Sequence, residues 1–195
     1  MAVAPTSLDG GASVLRNHKW SRTPVGTHYD TFYSDRYLMT QDIHRLYDVL
    51  SCVPFEHIIV LVNSSIYGGG GIYNQVLVST SDHPTFRQVL VHEFGHSYAG
   101  LGDEYFYDDA YETSYPADTE PWEPNLTTKV DFEHKWADML PDPTGRVGLF
   151  EGGGYQSKGV WRPSKDCRMK TNEAEHFCPV CDRAIRRITD FYTSR

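Results

Sequence analysis

The sequence contains little of what would mark a nucleic-acid-binding or membrane-spanning protein. Acidic residues outnumber basic ones by 26 to 18 and the net charge is -8. No basic patch in the sequence suggests binding to a phosphate backbone. No apolar run approaches the roughly 20 residues that a membrane-spanning helix requires. Internal repeats and low-complexity tracts are also absent. We therefore expect no nucleic-acid partner and no membrane span.

The N-terminus lacks the charged and apolar regions of a secretory signal peptide. Residues 1–7 read like a cut made inside a longer protein, with Met1 added in front. Localisation therefore cannot be inferred from this N-terminus. The 195 residues, of which 39% are hydrophobic and 13% aromatic, are enough for a sizeable core, so we expect a single domain over residues 1–195.

A run of four glycines, Gly68–Gly71, is not followed by the Gly-Lys-Ser or Gly-Lys-Thr of a phosphate-binding loop. We interpret the run as a flexible turn between two strands, His57–Asn63 and Ile72–Ser79. The second of these is the predicted sheet edge on which an extended peptide would lie. Further predictions are a helix from Thr40 that ends before Pro54, a short helix over Val130–Leu140, a loop over 141–166 and an amphipathic helix from Pro179.

The most informative stretch contains His-Glu-x-x-His at residues 92–96. Residues four apart lie on one face of a helix, so His92 and His96 can direct both imidazoles to one point about 2.0–2.1 Å from a zinc ion. Glu93 is offset by one residue, beside the metal rather than on it. There it can act as the general base for the water that attacks a peptide bond. The pattern predicts a zinc peptidase site.

Two imidazoles alone do not hold zinc well, so a third protein ligand is needed. In the metzincin pattern the helix stops at a glycine and the ligand follows three residues later. Gly100 and Asp103 have this interval, although Gly100 lies one residue further from His96 than is usual. Glu104 is the competing candidate.

A second informative stretch carries Met169 and three cysteines. Metzincins have a tight turn whose methionine lies beneath the zinc site, and Met169 is placed for that role. Cys167, Cys178 and Cys181 indicate either a structural zinc site, with His176 as the fourth ligand, or a disulfide. A thioredoxin-like role is disfavoured because no βαβ pattern surrounds the cysteines.

Several other side chains are candidates for the site. Tyr73, Tyr105 and Tyr155 could contact the substrate or its tetrahedral oxyanion. The residues that follow Met169, 170–172, are predicted to line the pocket for the side chain after the scissile bond. The acidic residues of the long loop that begins at Tyr105 and includes Pro116, Pro121 and Pro124 could bind calcium, although a solvated acidic loop is favoured. Cys52 is expected to be a buried thiol.

These motifs resemble the bacterial IgA-peptidase family of zinc metallopeptidases. The likeness covers most of residues 17–193. It rests on three stretches, His92–Tyr105, Tyr67–Asn74 and Pro121–Thr128, and on the motifs Cys-x-Met at 167–169 and Phe-Cys-Pro-Val-Cys at 177–181. It implies an α+β, metzincin-like zinc protease fold, that is, an α/β sandwich with a small mixed sheet, an active-site helix and a C-terminal helix. Family members commonly carry a further N-terminal β-rich domain, which fits a trimmed chain.

The resemblance also implies roles for individual residues. His92, His96 and Asp103 would be ligands of a single catalytic zinc, with Glu93 as the base and Met169 in the Met-turn. It further implies export to the periplasm, the cell surface or the exterior.

We therefore expect a monomeric zinc-dependent endopeptidase that acts on a protein or peptide substrate. The main alternative is a non-hydrolytic zinc-containing protein that binds a peptide or a glycan. Such a protein would have no use for Glu93, so its presence favours the peptidase. A thermolysin-like site with Glu112 or Glu120 as ligand is disfavoured, because these residues lie in a proline-punctuated span unsuited to a helix.

Overall fold

The computed structural model describes residues 1–108 and 114–194. Within these ranges the chain forms three α-helices and eight strands in three small sheets, which confirms the α+β class. The metzincin-like arrangement stays a prediction. The chain divides into two compact units, Met1–Ser97 and Tyr98–Arg195. None of the helices in the described ranges combines the length and apolarity needed to cross a membrane.

The first unit is built on a three-stranded mixed sheet. Its elements are β1 (Ser13–Val14), β2 (His28–Tyr29), α1 (Ile43–Leu50), β3 (Ile58–Val62), β4 (Gly69–Ile72), β5 (Val76–Thr80) and most of α2 (Phe86–Ala99). Strand β5 is central, with β3 parallel on one side and β4 antiparallel on the other. All five residues of β5 are buried. The core of this unit includes Leu38, Leu46, Val62 and Val78.

The predicted strand over Ile72–Ser79 is wrong in its bounds and in its place in the sheet. The chain turns between Ile72 and Val76, where Asn74 has a φ of +53° and the Gln75 N–H donates to Ile72 O (3.1 Å). The glycine run, predicted to be a turn, forms edge strand β4. Glycine is unfavourable in strands, so the sequence pattern pointed away from this structure.

The second unit contains a small mixed sheet and the C-terminal helix. Its elements are β6 (Phe106–Tyr107), β7 (Phe150–Gly153), β8 (Tyr155–Arg162) and α3 (Pro179–Thr193). Strand β8 lies between β6, which is parallel to it, and β7, which is antiparallel. The core of this unit includes Leu101, Trp136, Met169 and Val180.

Two sequence predictions in the second unit are wrong. Residues 141–166 are not a loop, because they contain the hairpin of β7 and β8. The predicted helix over Val130–Leu140 is two short 3₁₀ turns, Phe132–His134 and Ala137–Met139. Between them Trp136 is fully buried and its indole N–H donates to Gly148 O (2.8 Å), so the chain turns to place this ring in the core.

Candidate active site

Helix α2 brings the two histidines of the His-Glu-x-x-His motif together. The Nε2 atoms of His92 and His96 lie 3.1 Å apart and the ring centroids 4.8 Å apart. Both residues are partly exposed. The expected convergence of the two rings is therefore present within the first unit.

The glycines of β4 allow that strand to lie directly against α2 at the motif. A Cβ added at Gly69 would lie 3.1 Å from Glu93 Oε1, and one added at Gly71 would lie 2.5 Å from Glu93 O and 3.0 Å from His96 Cβ. The missing side chains thus explain a glycine run inside a strand: no larger residue fits between the sheet and the helix.

Replacing Gly71 with alanine should destabilise the protein by about 1–3 kcal/mol, the usual cost of overpacking a filled interface. The new Cβ would meet the backbone oxygen of Glu93, which cannot move without bending α2. Chemical denaturation measures the loss. Gly10→Ala is the matched control, because nothing lies within 4 Å of its Cβ, and we expect it to be neutral within about 0.5 kcal/mol. Equal unfolding midpoints for the two variants would contradict the close approach.

Helix α2 ends at Ala99, and Gly100 follows with a φ of +63°. This left-handed conformation is the helix end that the sequence predicted, and it suits glycine because no Cβ clashes there. Leu101 after it is buried and anchors the reversed chain in the core of the second unit.

Asp103 is held in place by the β7–β8 hairpin. Its carbonyl oxygen accepts a hydrogen bond from Gly154 N (2.8 Å), and its Oδ2 accepts one from the hydroxyl of Tyr155. Tyr155 itself has a φ of +69°, an unfavourable conformation for a tyrosine. Such local strain is characteristic of functional sites. The sequence named both residues but gave no sign that they contact each other.

Glu104, the competing candidate, points into a different group. It is fully buried, and its Oε1 lies 3.1 Å from Cys181 Sγ and 4.0 Å from Cys178 Sγ. Cys167 Sγ lies 3.7 Å from Cys181 Sγ, and the four side chains each offer a ligand atom within 4.8 Å of the others. Burial raises the pKa of Glu104 well above its ordinary value. The distances make the Glu104 side chain part of the cysteine group.

Two sequence predictions about this group need correction. His176 is not the fourth member, since its side chain is 86% exposed and lies beside Glu175. The chain directs His176 outward before α3 begins. Glu104, which is distant in sequence, is the fourth member of the group with the three cysteines. Cys52 is exposed rather than buried, because it lies in the turn that follows α1. All four cysteines are unbridged.

Met169 is fully buried and lies in a tight turn, and its place beneath a zinc ion stays a prediction. The N–H groups of Lys170 and Thr171 both donate to Cys167 O, at 2.8 and 3.1 Å. Met169 O accepts a hydrogen bond from Glu104 N (2.8 Å), so the turn lies against the segment that carries Asp103.

The remaining sequence candidates are less tightly placed. Tyr105 packs edge-on against Tyr155, with ring centroids 5.2 Å apart. Tyr73 lies in the β4–β5 turn and is 45% exposed. The pocket predicted at residues 170–172 stays a prediction. Two acids of the loop proposed for calcium, Asp109 and Glu112, lie outside the described residues. Glu112 is also one of the ligands named in the thermolysin-like alternative.

A helix that presents two converging imidazoles with a glutamate beside them, in an α+β chain, is the arrangement of the metallopeptidase class. The family comparison makes this specific. The model of the family described as IgA Peptidase M64 matches residues 1–145 and 141–189, so the chain belongs to this peptidase family. The resemblance found in the sequence is confirmed. A comparison with curated proteins found no match.

Proposed function

We propose that the chain is a zinc-dependent endopeptidase with His92, His96 and Asp103 as metal ligands and Glu93 as the general base. The observation that carries the proposal is the convergence of the two imidazole Nε2 atoms, 3.1 Å apart, on the helix that also bears Glu93. Membership of a peptidase family supports the hydrolytic part of the proposal.

The histidine geometry fits zinc. Two nitrogens at about 2.0–2.1 Å from a tetrahedral ion lie about 3.3 Å apart, close to the observed separation. Neutral imidazole is a preferred zinc ligand, and carboxylate completes ligand sets of this kind. Two features support Asp103 as the third ligand: the left-handed Gly100 three residues before it, and the Tyr155 hydroxyl that orients its carboxylate.

When bound, zinc would act as a Lewis acid toward the substrate carbonyl and the attacking water. The residues of the chain supply the rest. Glu93 accepts the proton of the water and passes it to the leaving amine. Tyr155 donates to Asp103 and fixes its orientation, which makes Tyr155 a positioning residue rather than the donor to the oxyanion. Tyr73 and Tyr105 remain the candidates for that donor.

The edge of β4 is where an extended substrate would pair. Gly68 O accepts a hydrogen bond from Thr80 N of β5. Because successive residues of a strand direct their N–H and C=O groups to opposite sides, Gly69 and Gly71 direct theirs away from β5. The outward N–H and C=O groups of Gly69 already bond to the backbone of residues 36 and 38. Gly71 is the next residue of β4 whose groups point outward, so we propose that the substrate pairs there. A peptide added there would gain main-chain hydrogen bonds beside Glu93 and His96.

For the wider setting we propose export from the cell, a monomeric state and a protein or peptide substrate. The substrate class is supported by the peptidase assignment. Export is proposed from the family resemblance of the sequence alone.

Metal removal tests the proposal directly. Casein digestion by the purified protein should stop after dialysis against a chelator and return when zinc is added back, because Glu93 alone cannot activate water strongly enough. Calcium added back instead of zinc is the control, and it should restore nothing. Digestion that continues in the fully metal-free protein would refute the zinc mechanism. A non-hydrolytic binder would digest nothing in either state.

A further inference from the structure

The group formed by Glu104, Cys167, Cys178 and Cys181 lies wholly within the second unit, and the proposed peptide hydrolysis does not use it. We propose that it binds a second zinc ion in a closed structural site with three thiolates and one carboxylate. All four side chains are at least 96% buried, which is typical of a structural rather than a catalytic site.

The distances fit a tetrahedral ion. Two sulfurs at about 2.3 Å from zinc lie about 3.8 Å apart, and Cys167 Sγ and Cys181 Sγ are separated by 3.7 Å. A sulfur atom and a carboxylate oxygen bound to the same zinc ion lie about 3.5 Å apart. Glu104 Oε1 lies 3.1 Å from one cysteine sulfur and 4.0 Å from another, on either side of that value. Thiolate-rich tetrahedral groups select zinc over calcium or magnesium.

The burial of Glu104 supports a cation at this point. Its side chain is fully buried, and within the described part of the chain Oε2 has no hydrogen-bond partner. Its nearest polar donor, Asn125 Nδ2, is neutral and lies 3.0 Å from Oε1. Arg162 is near enough to interact with the charge of Glu104, but its guanidinium donates to the backbone oxygens of Glu151, Gly152 and Ser164. Burying a carboxylate without a directly bonded cation costs several kcal/mol, and a bound dication would offset that cost.

The surroundings already orient the four ligands. Cys178 N donates to Cys167 Sγ (3.2 Å), which ties this sulfur to the start of α3. Cys178 is the N-cap of α3 and Cys181 lies in its first turn, so the start of one helix carries two of the four ligands. Asn125 donates to Glu104 and also accepts from Gly102 N (2.7 Å), so it fixes the carboxylate relative to its own backbone.

The ion would join three segments that are far apart in the sequence: the stretch after Gly100, the Met169 turn and the start of α3. Because Glu104 directly follows Asp103, this second ion would also hold the third ligand of the catalytic zinc in position. Only this last consequence rests on the proposed function. The zinc site itself does not depend on it.

The test uses a His92→Ala, His96→Ala double variant, from which the proposed catalytic ion is removed. Elemental analysis should find about one zinc per chain remaining, and X-ray absorption should show about three sulfur ligands and one oxygen ligand. Cobalt substituted for zinc should give a thiolate-to-metal charge-transfer band. These readouts do not depend on peptidase activity.

Single variants in the same background identify the ligands. Cys181→Ser and Glu104→Gln should each weaken zinc binding by at least about tenfold. Cys52→Ser removes an exposed thiol and His176→Ala removes the exposed histidine that the sequence suggested; both should leave zinc affinity unchanged. If a ligand variant fails to fold, the zinc stoichiometry and sulfur count of the double variant still decide the question.

Two outcomes would overturn the proposal. The double variant could contain no zinc and fewer than four free thiols after denaturation, which would show a disulfide in place of the ion. It could instead contain no zinc and four reactive thiols. Failure of the proposed function would give a different result. The wild-type protein would then bind zinc through its cysteines but would not digest casein, and the proposal of a structural zinc site would stand.

Discussion

Replacing Glu93 with glutamine should reduce the rate of peptide hydrolysis by about 10²–10⁴-fold, the contribution of a well-placed general base. Glutamine has the same shape, so the packing of Glu93 beneath Gly69 is preserved while the proton acceptor is lost. Zinc content and the unfolding midpoint should stay at the wild-type values. Initial rates on casein or a quenched fluorescent peptide, measured with elemental analysis of the same samples, check the prediction.

The matched control is Glu175→Gln, which makes the same chemical change at an exposed glutamate of the second unit. We expect it to digest substrate at the wild-type rate. A Glu93→Gln variant that is equally active would show that another group takes the proton from water. A fall in activity accompanied by loss of zinc would point instead to a part for Glu93 in holding the metal.

The motif that carries the candidate site was predictable because its spacing is local. His92 and His96 lie one helical turn apart, so their convergence follows from helix geometry alone. The helix end at Gly100 was predictable for a similar reason, because glycine readily takes the left-handed conformation.

The contacts that surround the motif were not predictable, because they join residues far apart in the sequence. Glycine pointed away from a strand at β4, and only the closeness of α2 explains it. Glu104 and Cys181 are 77 positions apart, so spacing suggested the nearby His176 instead. The β7–β8 hairpin was overlooked because its glycines, among them Gly152 and Gly154 with positive φ, resemble those of a loop.

The second large effect concerns the choice between Asp103 and Glu104. Asp103→Ala should abolish the catalytic zinc, and with it nearly all activity, while about one zinc per chain stays on the cysteines. Tyr155→Phe should have a milder effect, about a 10–100-fold loss of affinity for the catalytic zinc, since it removes only the hydroxyl that donates to Asp103. Zinc titration under competition with a chelator measures both affinities.

The unfolding midpoint separates positioning from general stability. Tyr155→Phe keeps the ring packed against Tyr105, so its midpoint should match that of the wild type while its zinc affinity falls. Glu104→Gln should show the opposite pattern, with the loss confined to the sulfur-bound zinc, because its carboxylate is directed at Cys181. The opposite result would be a Glu104→Gln variant that lost the catalytic zinc and an Asp103→Ala variant that kept it. The third ligand of the catalytic zinc would then be Glu104, and Glu104 could not be a ligand of the cysteine site.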